Sequence, residues 1–158
     1  NFGLTHCGAH TMDTMRMESG FLHWGHDISP EENQYQAGLN FTISFKKNVD
    51  FIGKKAVEKI KTQKLDKRFA MFTLKNNEPG YPLLLHEEPI YLDNKIIGKT
   101  TSGNYSFNFN KNLTFGYIKN DFSNKELINK ELFVEVEKQK HPISIQLQAL
   151  KQTNFKNQ

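Results

Sequence analysis

The chain has 158 residues, of which 37% are hydrophobic and 13 are phenylalanines, enough apolar material for one domain or for two small ones. Its net charge is +4, but lysines and acidic residues are interleaved and no recognised nucleic-acid motif accompanies them, so we expect no nucleic-acid partner. One cysteine excludes an internal disulfide and no apolar run approaches the roughly 20 residues of a membrane helix, so we expect a cytoplasmic protein without a membrane partner.

The N-terminal part shows two helix signals. Apolar residues recur at near-helical spacing from Thr5 to Gly20, which predicts an amphipathic helix that ends at Gly20. Farther along, Ser29 is followed by Pro30 and by Glu32 three residues after the serine, the pattern of a capping box. We therefore predict that a short helix starts at Ser29.

The next two elements are predicted to be a strand and a helix. Residues 39–45, LNFTISF, alternate apolar and polar side chains, the period-two pattern of a half-buried strand. Residues 50–61 place apolar side chains at four-residue intervals, which predicts a helix.

From residue 66 onward the pattern changes to short apolar runs separated by Gly, Pro and Asn. The six runs are FAMFTL, EPIYL, KIIGKTTSG, LTFGYI, ELFVEV and HPISIQLQAL. Six short strands with regular turn signals predict a small antiparallel barrel or sandwich. We place the domain boundary between residues 65 and 66.

Histidines near the N-terminus raise the question of a metal site. His6 and His10 would lie four residues apart on the predicted helix, a spacing that can present two imidazoles to zinc. The pairing is not the usual one for zinc, and His23 and His26 can equally hydrogen-bond to carbonyls around a turn, so we predict no metal site. Cys7 is interpreted as a semi-buried residue, since helical neighbours at i and i+1 point apart and cannot activate it.

Other residues leave a functional and a structural interpretation open. Arg16 and Glu18 do not face each other on a helix, so we expect each to have its own partner, as either a ligand contact or a structural ion pair. Trp24 could line a pocket for an aromatic ligand or fill the core, and the core is the simpler interpretation. The hydroxyl-rich run Thr100–Ser106 is typical of a connection between strands. These patterns assign no catalytic residue, and no Gly-rich phosphate loop is present.

Three blocks in order resemble the C-terminal part of the glycine-cleavage T-protein (aminomethyltransferase) superfamily. They are MDTMRMESGFLHWGHDISPEENQYQAGLNFTISF, DFIGKKAV and IIGKTTSGNYSFNFNKNLTFGYI. Their signatures are an R-x-E-x-G helix with a G-x-D turn, an F-I-G-K helix start and a G-x-x-T-S-G hairpin. Within the superfamily, RMESGFLHWGHD with SPEEN is most similar to the folate module fused to flavin-dependent dimethylglycine and sarcosine dehydrogenases.

The resemblance implies an α+β chain in which a partial ferredoxin-like α/β segment precedes a six-stranded antiparallel β-barrel. Residues 1–65 would be the C-terminal remnant of the folate-binding domain, and residues 66–158 the C-terminal barrel. The implied function is tetrahydrofolate-dependent transfer of a one-carbon unit, methylene or aminomethyl. This transfer would be linked to oxidation of an N-methyl amine such as dimethylglycine or sarcosine, or to glycine cleavage.

The resemblance also implies a ligand site and partners. Folate-binding positions correspond to Met12, Phe21 and Trp24. T-proteins often carry an arginine at the Met12 position and can carry an aromatic hydroxyl at the Phe21 position, so packing is expected to replace polar contacts here. The implied cofactor is tetrahydrofolate, whose binding is expected only in the full-length protein, with FAD only in a fused or partner domain. Implied partners are folate, an N-methyl amine or aminomethyl donor, and a flavoprotein domain or subunit.

Alternatives follow from the N-terminal end of the sequence. The chain begins with Asn1 and has no signal-peptide pattern, so we expect a fragment or a processed chain. The family's catalytic aspartate lies in an N-terminal half without a counterpart here, which leaves open whether this chain is itself an enzyme. A non-catalytic scaffold that assembles with a separate flavoprotein is the alternative. A stand-alone aminomethyltransferase that uses a lipoyl carrier protein would need the missing half.

Overall fold

The computed structural model of the chain describes residues 2–47, 49–76 and 78–150. Three α-helices lie in these ranges, α1 (Ala9–Glu18), α2 (Lys54–Lys61) and α3 (Asn124–Asn129), with a short 3-10 helix at Asn40–Thr42. The strands are β1 (Lys67–Leu74), β2 (Pro89–Leu92), β3 (Lys95–Ser106), β4 (Lys111–Lys119), β5 (Leu132–Val136) and β6 (Gln139–Gln146). No helix within the described ranges combines the length and apolar composition that crossing a bilayer requires.

The six strands form a closed antiparallel barrel in the order β1-β4-β3-β2-β5-β6, with β6 pairing back to β1. Hairpins connect β2 to β3, β3 to β4 and β5 to β6. In the tight turn between β5 and β6, Glu137 and Lys138 both have positive φ, as the two-residue turns that match strand twist require. Closure pairs every strand on both sides. The six-stranded barrel predicted from the sequence is confirmed.

Apolar side chains that alternate along the strands fill the barrel interior. All six strands contribute, and Leu127 of α3 covers part of the core. The buried residues of the interior are Ala70, Phe72, Leu74, Leu84, Ile90, Leu92, Ile97, Ile118, Leu127, Leu132, Val134, Val136 and Ile143.

A second apolar cluster lies on the outside of the barrel, where α1 covers β3 and β4. Met17 of α1 is fully buried against Met71 of β1 and against Leu113 and Phe115 of β4. Phe69 of β1 packs against this cluster and meets Phe115 edge to face, with 5.1 Å between ring centroids. The barrel wall thus serves as the platform on which the N-terminal segment is positioned.

Helix α1 is shorter than predicted. It begins at Ala9 rather than at Thr5, and it ends where Gly20 adopts a φ of +74° and the Phe21 N–H donates to the Arg16 carbonyl (2.8 Å). His6 therefore precedes the helix, and the expected four-residue spacing of two imidazoles on one helical face does not form. Cys7 also precedes the helix and is exposed, so its predicted semi-burial was wrong.

The strand predicted at residues 39–45 was wrong. The segment instead contains the 3-10 helix, and the Thr42 hydroxyl donates to the Leu39 carbonyl (2.7 Å). No strand is found in the described residues 2–47 and 49–66, so a strand at this place would have no neighbour to satisfy its backbone groups. The strand of the ferredoxin-like segment is therefore absent from this part of the chain.

The helix predicted at Ser29 was also wrong, although half of the capping box forms. The Glu32 carboxylate accepts from the Ser29 N–H (2.9 Å) and the Ser29 hydroxyl (2.7 Å), but it is also held by Lys67 (2.6 Å). The Asn33 side chain then accepts from the N–H groups of Tyr35 and Gln36, both at 3.0 Å. This second side-chain cap turns the backbone instead of extending a helix from Ser29.

Candidate functional site

The centre of the site is the Arg16 side chain on α1, which is only 13% exposed. Its guanidinium donates to four groups: Asp13 Oδ1 (2.7 Å), Asp27 Oδ2 (2.7 Å), the Phe21 carbonyl (3.2 Å) and Ser102 Oγ (3.0 Å). These contacts join the helix, the chain that follows it and strand β3. A planar group with five fixed donors suits such a junction.

Asp27 is fully buried and has a complete set of donors. Besides Arg16, its Oδ2 accepts from the His23 N–H (2.9 Å), and its Oδ1 accepts from the hydroxyls of Thr101 (2.5 Å) and Ser102 (2.7 Å). The hydroxyl-rich run that the sequence suggested as a connection is therefore part of β3 and holds the turn at residues 23–28.

Glu18 has partners of its own at the other end of β3. Its carboxylate is buried and accepts from the Ser106 hydroxyl (2.6 Å) and the Asn108 amide (2.8 Å). Arg16 and Glu18 thus have separate partners, as their two-residue spacing predicts. Both side chains fix α1 to the barrel.

The turn fixed by Asp27 exposes Trp24. A bridge pairs Trp24 with Ile28, and Gly25 adopts a φ of +89° while its N–H donates to the Ile28 carbonyl (2.8 Å). The indole is 65% exposed, so the interpretation of Trp24 as a core residue was wrong. Asp27 anchors the backbone of this turn to β3, and the Trp24 ring lies on the solvent side of the turn.

A groove of about 850 Å³ opens beside this turn, and we call it the aromatic groove. Its exposed rings are Phe21, Trp24 and Phe41, and its base includes Phe69 and Met71 on the outer face of β1. The groove-lining residues include none with a formally charged side chain. Such a surface suits a flat, largely uncharged ligand.

Two of the three residues implied by the resemblance lie together in the aromatic groove. Phe21 and Trp24 both line it, whereas Met12 lies on α1, 57% exposed, and is not among the lining residues. Sequence reasoning missed Phe41 and Phe69. Strand alternation could have indicated Phe69. Its neighbour Ala70 belongs to the barrel core, and successive strand residues point to opposite faces, so Phe69 lies on the outer face of the barrel.

A second groove of about 660 Å³ lies on the other side of the 23–32 segment, and we call it the lysine groove. It includes Lys67, Lys99, Lys119, Glu32, Glu87 and Tyr117. Burial acts to raise the pKa of Glu32, but hydrogen bonds from Lys67 and Ser29 outweigh it, so the pKa is lower than usual. Burial, together with the charges of Glu32 and Asp27, raises the pKa of the Tyr117 phenol, which stays protonated at neutral pH.

The histidines of the turn contact each other. The rings of His23 and His26 lie 4.5 Å apart between centroids, and His23 Nδ1 is 4.0 Å from Asp13 Oδ1. Within residues 2–47, 49–76 and 78–150, no three His, Cys, Asp or Glu side chains are grouped so that they could hold a metal ion.

Comparison with known proteins identifies the family. The family model described as the glycine cleavage T-protein C-terminal barrel domain matches residues 67–150. The chain belongs to the glycine cleavage T-protein family. A second model of this family, the GCVT N-terminal domain, matches residues 1–47. The resemblance predicted from the three sequence blocks is confirmed, while the division of the T-protein chain between residues 65 and 66 stays a prediction.

The curated relatives of this T-protein-family chain are enzymes. Human mitochondrial dimethylglycine dehydrogenase is 34% identical over 116 residues, which cover 73% of this chain and 13% of that protein. The 4-methylaminobutanoate oxidase (formaldehyde-forming) of Paenarthrobacter nicotinovorans is 39% identical over 105 residues, 66% of this chain and 12% of that protein. Aminomethyltransferase of Synechococcus elongatus is 27% identical over 143 residues, 90% of this chain and 37% of that protein. The chain therefore spans a minor part of the length of each relative.

A solved structure shares the T-protein fold. The crystal structure of glycine cleavage system aminomethyltransferase T from Bartonella henselae superposes with a TM-score of 0.70 at 22% identity. The match covers 84% of this chain and 36% of that one. The barrel and the segment packed on it thus share the fold of part of that aminomethyltransferase.

Proposed function

We propose that the chain forms the C-terminal part of a tetrahydrofolate-dependent one-carbon transfer module. The module would serve oxidation of an N-methyl amine such as dimethylglycine or sarcosine, or glycine cleavage. The observation that carries the proposal is the aromatic groove, which the exposed rings of Phe21 and Trp24 both line. The relationship to dimethylglycine dehydrogenase and aminomethyltransferase supports it.

The aromatic groove fits the ring portion of a folate. Its volume lies within the roughly 300–1,000 Å³ common for small-molecule sites, and its lining contains no formally charged side chain. The faces of Phe21 and Trp24 can stack on a pterin or aminobenzoyl ring, and burying them removes apolar surface from water. Tetrahydrofolate, when bound, supplies the nitrogens that accept the one-carbon unit.

The residues of this chain would act by positioning and by excluding water. Phe21 and Trp24 hold the ring by packing, and the hydrogen bonds that Arg16 donates to the Phe21 carbonyl and to Asp27 keep both residues at a fixed place on the barrel. A one-carbon donor held beside a fixed acceptor reacts in an effectively unimolecular step. This positioning is the main rate gain that the aromatic groove can provide. Met12 is proposed to extend the apolar contact along α1.

The proposal includes partners outside this chain. FAD would belong to a fused or partner flavoprotein domain, which would supply the N-methyl amine in oxidised form, and an aminomethyl donor would take its place in glycine cleavage. The cytoplasmic location stays a prediction, and the human relative is named as a mitochondrial protein.

One observation favours the alternative of a scaffold that assembles with a separate flavoprotein. Large apolar side chains are exposed before and on α1, namely Phe2, Leu4, Met12 and Met15. Exposed apolar groups of this kind can mark an interaction surface.

Isothermal titration with tetrahydrofolate tests the proposal, on this chain and on the full protein that its gene encodes. We expect stoichiometric binding that weakens by about tenfold or more in Phe21→Ala, because a ring contact is lost. The matched control is Phe107→Ala, which removes a phenylalanine exposed at 74% that does not line the groove, and it should bind like the wild type. The proposal would be contradicted if neither protein bound tetrahydrofolate, or if Phe21→Ala and Phe107→Ala weakened binding equally.

A further inference from the structure

The lysine groove is a separate site from the aromatic groove. The 23–32 segment lies between them, with Trp24 and Ile28 on one side and His26 and Ser29 on the other. On the barrel wall, the ring of Phe69 lines the first groove and the ring of Tyr117 lines the second. The proposed folate contacts therefore leave the lysine groove without a role.

Among the three lysines that line the lysine groove, Lys67 and Lys99 form ion pairs with described residues and Lys119 does not. Each carboxylate has a cationic partner: Glu32 has Lys67 (2.6 Å), Glu87 has Lys99 (2.6 Å) and Asp27 has Arg16 (2.7 Å). For Lys119, no ion pair with another described residue is found, and its side chain is exposed. The Lys119 ammonium is therefore available to pair with a negative charge from a ligand.

The position of Lys119 makes a negatively charged ligand group beside it favourable. Lys119 of β4 lies directly opposite Lys67 of β1 in the strand register. Like charges opposite each other across strands destabilise a sheet, and Glu32 compensates only one of the two. An anion beside Lys119 would compensate the other.

Tyr117 provides a second, independent observation. It lies two residues before Lys119 on the same outer face of β4 and lines the groove, with only 8% of its surface exposed. Its hydroxyl is buried and has no hydrogen-bond partner among the described residues. Buried polar groups are normally paired, so an unpaired phenol at the base of a groove indicates a ligand that accepts its hydrogen bond.

The remaining lining gives the size and polarity of that ligand. Pro89 and Ile96 contribute apolar surface, and Ile96 is 54% exposed. One free cation matches a single negative charge better than it matches a phosphate dianion. A carboxylate is the common monoanionic group at neutral pH.

We propose that the lysine groove binds a small monocarboxylate with a compact apolar body. The carboxylate lies between the Lys119 ammonium and the Tyr117 hydroxyl, and the apolar body packs against Ile96 and Pro89. This site is independent of the proposed folate site.

Titration of the isotopically labelled chain with benzoate, followed by NMR, tests the proposal. Benzoate carries one carboxylate on a compact apolar ring, and benzyl alcohol is the uncharged control. We expect saturable shifts of the Tyr117 and Lys119 amides with benzoate and none that saturate with benzyl alcohol. Absence of saturable shifts, or saturable shifts confined to the Trp24 indole and its neighbours, would overturn the assignment.

Two variants make the test specific. Lys119→Gln should weaken benzoate binding by about tenfold or more, as loss of a charged hydrogen-bond partner does, whereas the exposed Lys125→Gln should not. Tyr117→Phe should also weaken binding while it leaves the spectrum folded, since the hydroxyl it removes has no partner in the protein. Wild-type affinity in Lys119→Gln would overturn the proposal.

Discussion

Arg16 and Asp27 form an ion pair, with 2.7 Å between Nη1 and Oδ2, that joins α1 to the turn carrying Trp24. Asp27 is completely buried, and two hydroxyls of β3 complete its contacts. The pair and these hydroxyls therefore connect α1 and the turn to residues of β3 that lie 74 and 75 positions from Asp27 in sequence. Its integrity decides where the rings of the aromatic groove lie.

Replacing Asp27 by asparagine should lower the free energy of unfolding by about 3–5 kcal/mol, because the largely buried Arg16 guanidinium loses its fully buried counter-charge and keeps only the partly exposed Asp13. Urea unfolding followed by circular dichroism measures the loss. Asp13→Asn is the matched control, since Asp13 pairs with the same arginine but is 30% exposed, and it should cost about 1 kcal/mol or less. Equal losses in the two variants would show that Asp27 is not the dominant partner.

Ser106→Ala should destabilise the protein by about 1–3 kcal/mol, because it leaves the buried Glu18 carboxylate without one of its two donors. Chemical unfolding compares it with Ser44→Ala, a change at an exposed serine for which we expect no loss beyond about 0.5 kcal/mol. A negligible effect at Ser106 would mean that Glu18 is not anchored through β3.

The contribution of Glu32 should depend on pH in a defined direction. Its pKa is lowered in the folded protein, so the carboxylate stabilises the fold above its unfolded pKa of about 4.3, and this stabilisation is lost as pH falls through the lower folded value. The difference in unfolding free energy between wild type and Glu32→Gln should therefore be constant near pH 7 and vanish in acid. The same comparison with Glu31→Gln, at an exposed neighbour, should show less pH dependence. A difference that grows on acidification would contradict the assigned direction.

Gly98→Ala should disrupt the barrel. A Cβ at this position would collide with the backbone carbonyl of Tyr117 and with Ile118, so β3 and β4 could not keep their register. We expect a loss of about 3 kcal/mol or more, measured by thermal unfolding, or no folded protein. Gly8→Ala is the control, because its Cβ would meet nothing within 4 Å. A stable Gly98→Ala barrel would mean that the strand pairing is looser than described.

The barrel could be predicted from sequence because its signals are local. Alternating apolar residues and turn residues each act within a few positions, and all six predicted strands appear. The failed strand at residues 39–45 has the same local pattern, but a strand also needs a neighbour, and alternation does not show whether one exists. The failed helix at Ser29 depended on the same kind of non-local contact, since Glu32 is held by Lys67, 35 residues away.

For the site, too, local features could be predicted from the sequence and contacts between distant residues could not. Phe21 and Trp24 were implied by family resemblance, and the structure places both in one groove. The bonds from Thr101 and Ser102 to Asp27 span 74 and 75 residues, a separation at which helix and strand periodicity give no information. The separate partners of Arg16 and Glu18 followed from helix geometry alone, but the identity of those partners did not.

Fluorescence of Trp24 during titration with tetrahydrofolate tests the central claim most directly. Trp24 is the only tryptophan in the chain and is 65% exposed, so its emission reports on the aromatic groove alone. Free tryptophan titrated in parallel corrects for absorption by the folate. A saturable, stoichiometric change in Trp24 emission that is lost in Phe21→Ala and kept in Phe107→Ala is the predicted result. Emission that changes no more than that of free tryptophan would contradict folate binding at this groove.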